Sequence, residues 1–285
     1  MHAHADLPVQ VYSSRTGRTG LAGSLKQVVR DLWTTREVIW RLSARDFMVQ
    51  FRQKLLGYLW AFLNPLIGAA SFLFLNYAGI LNAGEMGIPY PLYLFFGVIV
   101  WALFAGSISA VSSGLTVHAD LVVRTNVPRI ALVLSGLAGV LYLFLVNIVI
   151  LVLCCVLFRI PPSGWAVTLP LTVLPLMALG VGIGLVLAVV AVMARDVTTV
   201  VQTVLNLLMY LSPVVYVPKF ENRHLQQLID WNPLTHLIHG PRGLFFSGEV
   251  YEPAGFALAT ILGFAVLACG VHAFYMIQDY AAERL

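Results

Sequence analysis

Few side chains in this 285-residue sequence are of a kind that does chemistry, and their spacing limits what they can do. His236 and His239 stand three apart, so on a helix they share a face and offer two imidazoles. Two ligands alone rarely make a metal site, and hydrogen bonding at an interface accounts for the pair as well. His2 and His4 lie in a polar leading segment and read as tail. Glu249 and Glu252 come nearest to a carboxylate pair, but they sit in a polar loop that solvates them. Cys154, Cys155 and Cys269 fall inside apolar runs, where they behave as small hydrophobes. The sequence contains no GxxxxGK[ST] phosphate loop, no HExxH and no GxSxG, so neither ATP hydrolysis by that route nor hydrolase chemistry is expected of it.

The polar residues with a pattern are Thr199, Gln202, Thr203, Asn206 and Tyr210, which recur at three- and four-residue steps in an otherwise apolar stretch. On a helix they form one stripe, and polar groups in lipid must find partners. Hydrogen bonding between helices and the lining of a polar pathway are both open readings. Most tyrosines and tryptophans lie near the ends of apolar runs, where interfacial belts form.

The elements that must position these residues follow from composition. Apolar residues make up 59% of the chain and charged ones only 11%, too few to cover a soluble protein. Six windows without Asp, Glu, Lys or Arg are long enough to cross a bilayer: 57–81, 90–115, 130–158, 165–194, 197–217 and 254–277. No secretory h-region precedes them, so the first span directs insertion. Thirteen of the 17 Lys and Arg residues precede the first window or fall in the second loop, the fourth loop or the C-terminus, which puts both termini in the cytoplasm. The net charge of +4 thus reflects topology and calls for no nucleic acid. Spans without an ionisable residue also argue against an ion-coupled carrier.

Residues 1–30 read as a flexible cytoplasmic tail. Residues 31–56 read as an amphipathic helix lying in the interface, since Phe47, Phe51 and Leu55 share a face and Arg36, Arg41, Arg45, Asp46 and Arg52 surround it. That helix serves as a lipid anchor or meets a partner protein. Pro65 is expected to kink the first span. In the second loop a short helix is expected, with Asn126 as N-cap and Pro128 in its first turn, between Arg124 and Arg129. At the fourth loop, beside Arg195, Asp196 is placed to cap the fifth span. The apolar run 234–246 is too short to cross and suggests a re-entrant or interfacial helical hairpin on the outer side, with Asn232, Pro233 and Arg242 as its marked residues. Gly180 and Gly184 suit close packing of the fourth span. The fold class is an all-α integral membrane protein, with residues 57–285 as its six-span domain.

Four segments, RDFMVQFRQKLLGYLWAFLNPL (45–66), LVVRTNVPRIAL (121–132), ARDVTTVVQTVLNLLMYLSPVVY (194–216) and NPLTHLIHGPRGLFF (232–246), occur in this order at corresponding topological positions. Together they resemble the permease subunits of type-2 ABC exporters, and more narrowly the branch that exports O-antigen, capsular polysaccharide and teichoic acid. The second segment departs from that branch, which more often has an aromatic residue before the Pro-Arg pair. The resemblance implies a homodimer in the bacterial inner membrane that exports a lipid-linked polysaccharide. It further implies two copies of a separate cytoplasmic ATPase that bind ATP and Mg, with no cofactor in this chain. Arg36, Arg41, Arg45, Asp46, Arg52, Arg124, Asn126, Pro128, Arg129, Arg195 and Asp196 would then contact that ATPase. The span-5 stripe, with Tyr58, Trp60, Trp101 and Phe104, would face the substrate. A type-2 permease for a drug, lipid or other small substrate, an ATP-independent channel or flippase, and a membrane-embedded glycosyltransferase are the competing functions.

Overall fold

A computed structural model of the chain describes residues 20–52, 59–79, 87–125, 127–194, 196–218 and 221–282. The described residues form helices joined by short turns and contain no strand. In order these are α1 (Leu21–Thr34), α2 (Arg36–Arg52), α3 (Leu59–Tyr77), α4 (Tyr90–Val117), α5 (Ala119–Arg124), α6 (Arg129–Ser135) and α7 (Leu137–Leu157). After a 3-10 turn at Gly164–Thr168 come α8 (Leu169–Thr172), α9 (Leu174–Met193), α10 (Val197–Leu211), α11 (Arg223–Trp231), α12 (Pro233–Phe246) and α13 (Pro253–Ala282).

α9 is the central helix, held between α4 and α13. Its glycines make that possible by presenting bare backbone to both neighbours. A Cβ on Gly180 would lie 3.0 Å from the Phe104 carbonyl oxygen of α4, and one on Gly184 would lie 2.8 Å from Val111 Cβ. On the opposite side, Gly270 of α13 meets the Gly182 backbone so closely that a Cβ there would lie 2.3 Å from the Gly182 oxygen. Lipid gives no hydrophobic force to drive helices together, so close approach and van der Waals contact must do it. α4 is consequently buried along most of its length. Its serine and threonine hydroxyls are satisfied within the helix, as where Ser107 Oγ donates to Leu103 O at 2.7 Å.

The outward faces have the opposite character. Leu141, Leu145, Val149, Val152 and Val156 on α7, and Leu258, Ile261, Leu262 and Phe264 on α13, are exposed. Such continuous apolar surface belongs in hydrocarbon, and the chain is an integral membrane protein.

Four helical stretches among the described residues are long and apolar enough to cross: Tyr90–Val117, Arg129–Leu157, Gly164–Met193 and Pro253–Gln278. They match four of the six expected windows within a few residues. The windows 57–81 and 197–217 hold shorter apolar helices instead, Leu66–Tyr77 within α3 and Val197–Leu211. At 1.5 Å per residue the latter reaches only about 22 Å. It stops because Ser212 precedes Pro213, whose ring disfavours helical backbone at the residue before it; Ser212 is extended, at ψ 143.

At the other end of the sequence the helix starts ten residues before the expected Asp31, at Leu21, and restarts after Thr35 as α2. α1 is tied to the end of α13 by Ser24 Oγ with His272 Nδ1 at 3.0 Å and by Tyr275 Oη donating to Asp31 Oδ2 at 2.7 Å. Those bonds lie across more than 240 residues of sequence, which is why local patterning left the segment as tail. α1 and α2 mark one end of the molecule, the basic end; α11 and α12 mark the other, the hairpin end.

Candidate functional site

At the hairpin end the backbone between α10 and α11 runs without helix from Ser212 to Pro218, and its carbonyls need donors. Buried side chains supply them. His239 Nε2 donates to Pro213 O at 2.8 Å, Arg242 Nη2 to Val214 O at 2.8 Å, and Tyr93 Oη to Tyr216 O at 2.9 Å. With its Nε2 proton committed, His239 accepts at Nδ1 from Arg242 Nη1 at 3.3 Å. The Arg242 carbon Cζ lies 3.8 Å from the centre of the Tyr93 ring.

Arg242 is only 4% exposed, and its described contacts include no carboxylate. Carbonyl dipoles and a ring face therefore offset the cost of burying the cation, by charge-assisted hydrogen bonding and a desolvated cation–π contact. Arg242 pins the short end of α10 to α12.

The hairpin itself is capped as its sequence suggests. Asn222 Oδ1 accepts from His224 N at 2.9 Å to start α11, and Asn232 Oδ1 accepts from Leu234 N at 3.0 Å to start α12, with Pro233 in the first turn. Thr235 Oγ1 donates to Ile229 O and His236 Nε2 to Asp230 O, so both histidines of the pair bond backbone carbonyls. In the loop before α13, burial and then the Glu252 and Asp230 carboxylates push the Tyr251 hydroxyl up to about 12.

α10 carries the polar stripe. Thr199, Gln202, Thr203, Asn206 and Tyr210 are all exposed, while Val201 and Leu205 on the opposite face are buried against the core. Gln202 Nε2 donates to Ser109 Oγ of α4 at 2.6 Å, and the Tyr210 ring lies 6.1 Å from Phe72 of α3. Asp196 occupies the N-cap position of α10, but its side chain makes no capping bond, so its contribution is restricted to the helix dipole. Trp101 and Phe104 lie elsewhere, 6% and 1% exposed, packed on each other with ring centres 5.5 Å apart. In this conformation protein covers both rings, and they do not join the stripe. Trp60 belongs to α3, and Tyr58 lies outside the described residues.

At the basic end, Arg36 stacks over Trp33 at 5.0 Å and Arg41 pairs with Glu37 at 2.8 Å, all four being exposed. Arg45 donates to Asp46 from Nε and Nη2, at 3.1 and 2.9 Å. Arg52 is the last residue of α2. In the second loop Arg124 ends α5 and is exposed. The following helix begins at Arg129 with Pro128 at its N-cap position, two residues later than expected. Pro128 is extended there, at ψ 125, and no side chain caps the helix. The predicted cap Asn126 and the loop residue Arg195 lie outside the described residues.

Sequence reasoning missed His118, Ser43 and Ser135. Asp46 Oδ2 lies 3.3 Å from His118 Nε2, directly after α4, and Ser43 Oγ donates to Ser135 O at 2.9 Å. The signal was an acid set among arginines on α2 and a histidine just past a 28-residue apolar helix. Burial holds the His118 imidazole below its ordinary pKa, with Asp46 pulling upward and Arg45 adding to the lowering.

Known proteins resemble this chain in sequence. One O-antigen export system permease protein RfbA from Klebsiella pneumoniae is 25% identical over 247 residues, covering 86% of this chain and 93% of the relative; a second from that organism matches equally. The RfbA permease of Myxococcus xanthus is 24% identical over 223 residues, 77% of this chain and 84% of its own length. The family described as ABC-2 type transporter matches residues 37–246, from the second residue of α2 to the last of α12, and so takes in both the α2 attachment and the Arg242 cluster: this chain belongs to the ABC-2 type transporter family of membrane proteins.

Proposed function

We propose that this protein is the membrane subunit of an ATP-driven exporter that moves a lipid-linked polysaccharide of the O-antigen type across the bacterial inner membrane. The similarity to O-antigen export permeases over 86% of the chain carries this reading. Two physical features support it. The sequence has no phosphate loop, so ATP is hydrolysed on a separate subunit, which the exposed Arg36, Arg41 and Arg124 are placed to meet on the cytoplasmic side. Gln202 bonds Ser109 and Thr203 Oγ1 donates to Thr199 O, but the rest of the exposed α10 stripe cannot be left against hydrocarbon, since each unsatisfied polar group there costs several kcal/mol.

A second copy of the chain resolves that conflict. Two protomers related by a two-fold axis would bring their α10 faces towards each other and enclose a hydroxyl- and amide-lined path, with Gln202, Thr203, Asn206 and Tyr210 along it. α3 and α10 complete six spans per protomer, α10 reaching the outer surface through the pinned segment Ser212–Pro218. Both termini then lie in the cytoplasm, as the distribution of basic residues requires.

The test is export in vesicles that contain this chain, its ATPase and a glycolipid bearing an O-antigen-type polymer. ATP-dependent passage of the polymer to the far side is expected. Passage without the ATPase, or transport of small lipids but no polymer, would overturn the proposal.

A further inference from the structure

Among the described side chains, the hydrogen bonds that fasten α2 to the membrane-embedded helices converge on one spot. Ser43 Oγ donates to Ser135 O at 2.9 Å, Asp46 Oδ2 lies 3.3 Å from His118 Nε2, and Arg45 Nη2 lies 3.5 Å from His118 Nδ1. An arginine nitrogen can only donate, so Nδ1 accepts and the His118 proton sits on Nε2, facing Asp46 and Ser135 Oγ, the latter also at 3.3 Å. His118 follows the last residue of α4, and Ser135 ends α6, which continues into α7. Three of the four linking residues are buried: Ser43 at 7%, His118 at 4% and Ser135 at 1%.

The cluster borders a cavity of about 420 Å³ that it shares with Ala110, Ser113, Gly136 and Gly139. Its polar atoms are already matched to one another, and none is among the buried atoms without a partner. That argues for a fastener and against a ligand site. Elsewhere α2 presents exposed charges, so a push on its outer face reaches the core at this point. Apolar contacts slide under shear, whereas directional bonds in a buried setting resist it.

We infer that Ser43, Asp46, His118 and Ser135 form the joint that passes movement of α2 to α4 and to the α6–α7 helix. This rests on the proposal that a separate ATPase meets the basic end of this protein, and adds that the ATPase displaces α2. Asp46 and His118 act as positioning residues: they touch neither ATP nor polymer, and they fix which helices follow α2. The joint is rigid, so α2 and the ends of α4 and α6 move together.

The test uses the full transporter in vesicles and reads ATP hydrolysis and polymer export separately. Ser43→Ala and His118→Ala should keep ATP hydrolysis within about twofold while export per ATP falls about tenfold, within the usual range of coupling between sites. His118→Gln, whose amide can replace the Nε2 donor, should restore export. In a background without Cys154, Cys155 and Cys269, the pair Ser43→Cys and Ser135→Cys, bridged by a short bifunctional thiol reagent, should export normally, because a rigid joint loses nothing by being locked. Loss of export on bridging, or unchanged export per ATP in the alanine variants, overturns the inference. Absence of ATP-dependent export from the unmodified transporter instead overturns the function it rests on.

Discussion

The guanidinium of Arg242 fills the space that a side chain on Gly97 would need: a Cβ there would lie 2.3 Å from Arg242 Nη2 and 2.3 Å from the Val214 carbonyl oxygen. Gly97 therefore lets α4 pass the point where α12 grips the segment after α10. Gly97→Ala should force the pair apart and cost about 1–3 kcal/mol, the usual penalty of overpacking. Thermal unfolding in detergent and faster proteolysis between residues 212 and 218 would report it.

Arg242→Met tests the same grip from the other side. It fills a similar volume but leaves Val214 O without its donor, a loss of about 1–3 kcal/mol for a buried carbonyl. Arg242→Lys keeps the charge but not the flat fork that stacks on Tyr93 while reaching Val214 O, so it should recover only part of the loss. Equal stability of the lysine variant and the natural protein would refute the planar account.

How much of this was legible in the sequence depends on the range of the interaction. Apolar length located α4, α6–α7, α9 and α13, because lipid imposes one requirement on every crossing segment. The caps Asn222 and Asn232 are local devices; Asn232 and the following proline were legible, and Asn222 follows the same rule. The length of α10 was not read correctly, since the apolar window ran on through Ser212–Pro213 although the proline ends the helix there. Arg242 was marked by its type, but its hold on Val214, 28 residues away, depends on tertiary placement. The same holds for α1, whose ties to His272 and Tyr275 no local pattern contains, and for Asp46 with His118.

The α10 stripe yields a test that separates pathway from packing. Within the protomer these side chains are exposed, so Thr203→Val and Asn206→Leu should change protomer stability by less than about 1 kcal/mol, near the mean worth of polar contacts between membrane helices. Export should nevertheless fall sharply, because the polymer would lose hydroxyl and amide partners along its path. Gln202→Leu should affect both readouts, as it also breaks the bond to Ser109.

His118 gives the α2 attachment a pH dependence with a definite sign. Asp46 and Arg45 face it from α2 and Ser135 from α6, and burial keeps its folded pKa below the ordinary histidine value. Below about pH 6.5 the unfolded chain takes up a proton that the folded one resists. The contribution is therefore fully present above that pH and is lost as pH falls through and below it. Protection of α2 from protease should weaken between about pH 7 and pH 5 in the natural protein. His118→Gln should flatten that dependence, and a protection curve that stays pH-dependent in this variant would assign it to another group.

The contact between α9 and α13 turns on backbone, which cannot move aside as a side chain can. A Cβ on Gly270 would lie 2.3 Å from the Gly182 oxygen and 2.9 Å from its carbonyl carbon, so Gly270→Ala must separate the two helices along their shared length. Separation also removes dispersion contacts flanking the glycine, including those of Val266 against Gly182. The expected cost is about 1–3 kcal/mol or more, since rigid backbone leaves little room to relax. Gly68 in α3 is the control, because nothing lies within 4 Å of a Cβ built there. Gly68→Ala should leave stability unchanged or raise it by up to about 1 kcal/mol through helix propensity. Unfolding of the two variants in the same detergent makes the comparison, and equal behaviour would mean that α9 and α13 are not held by this close approach.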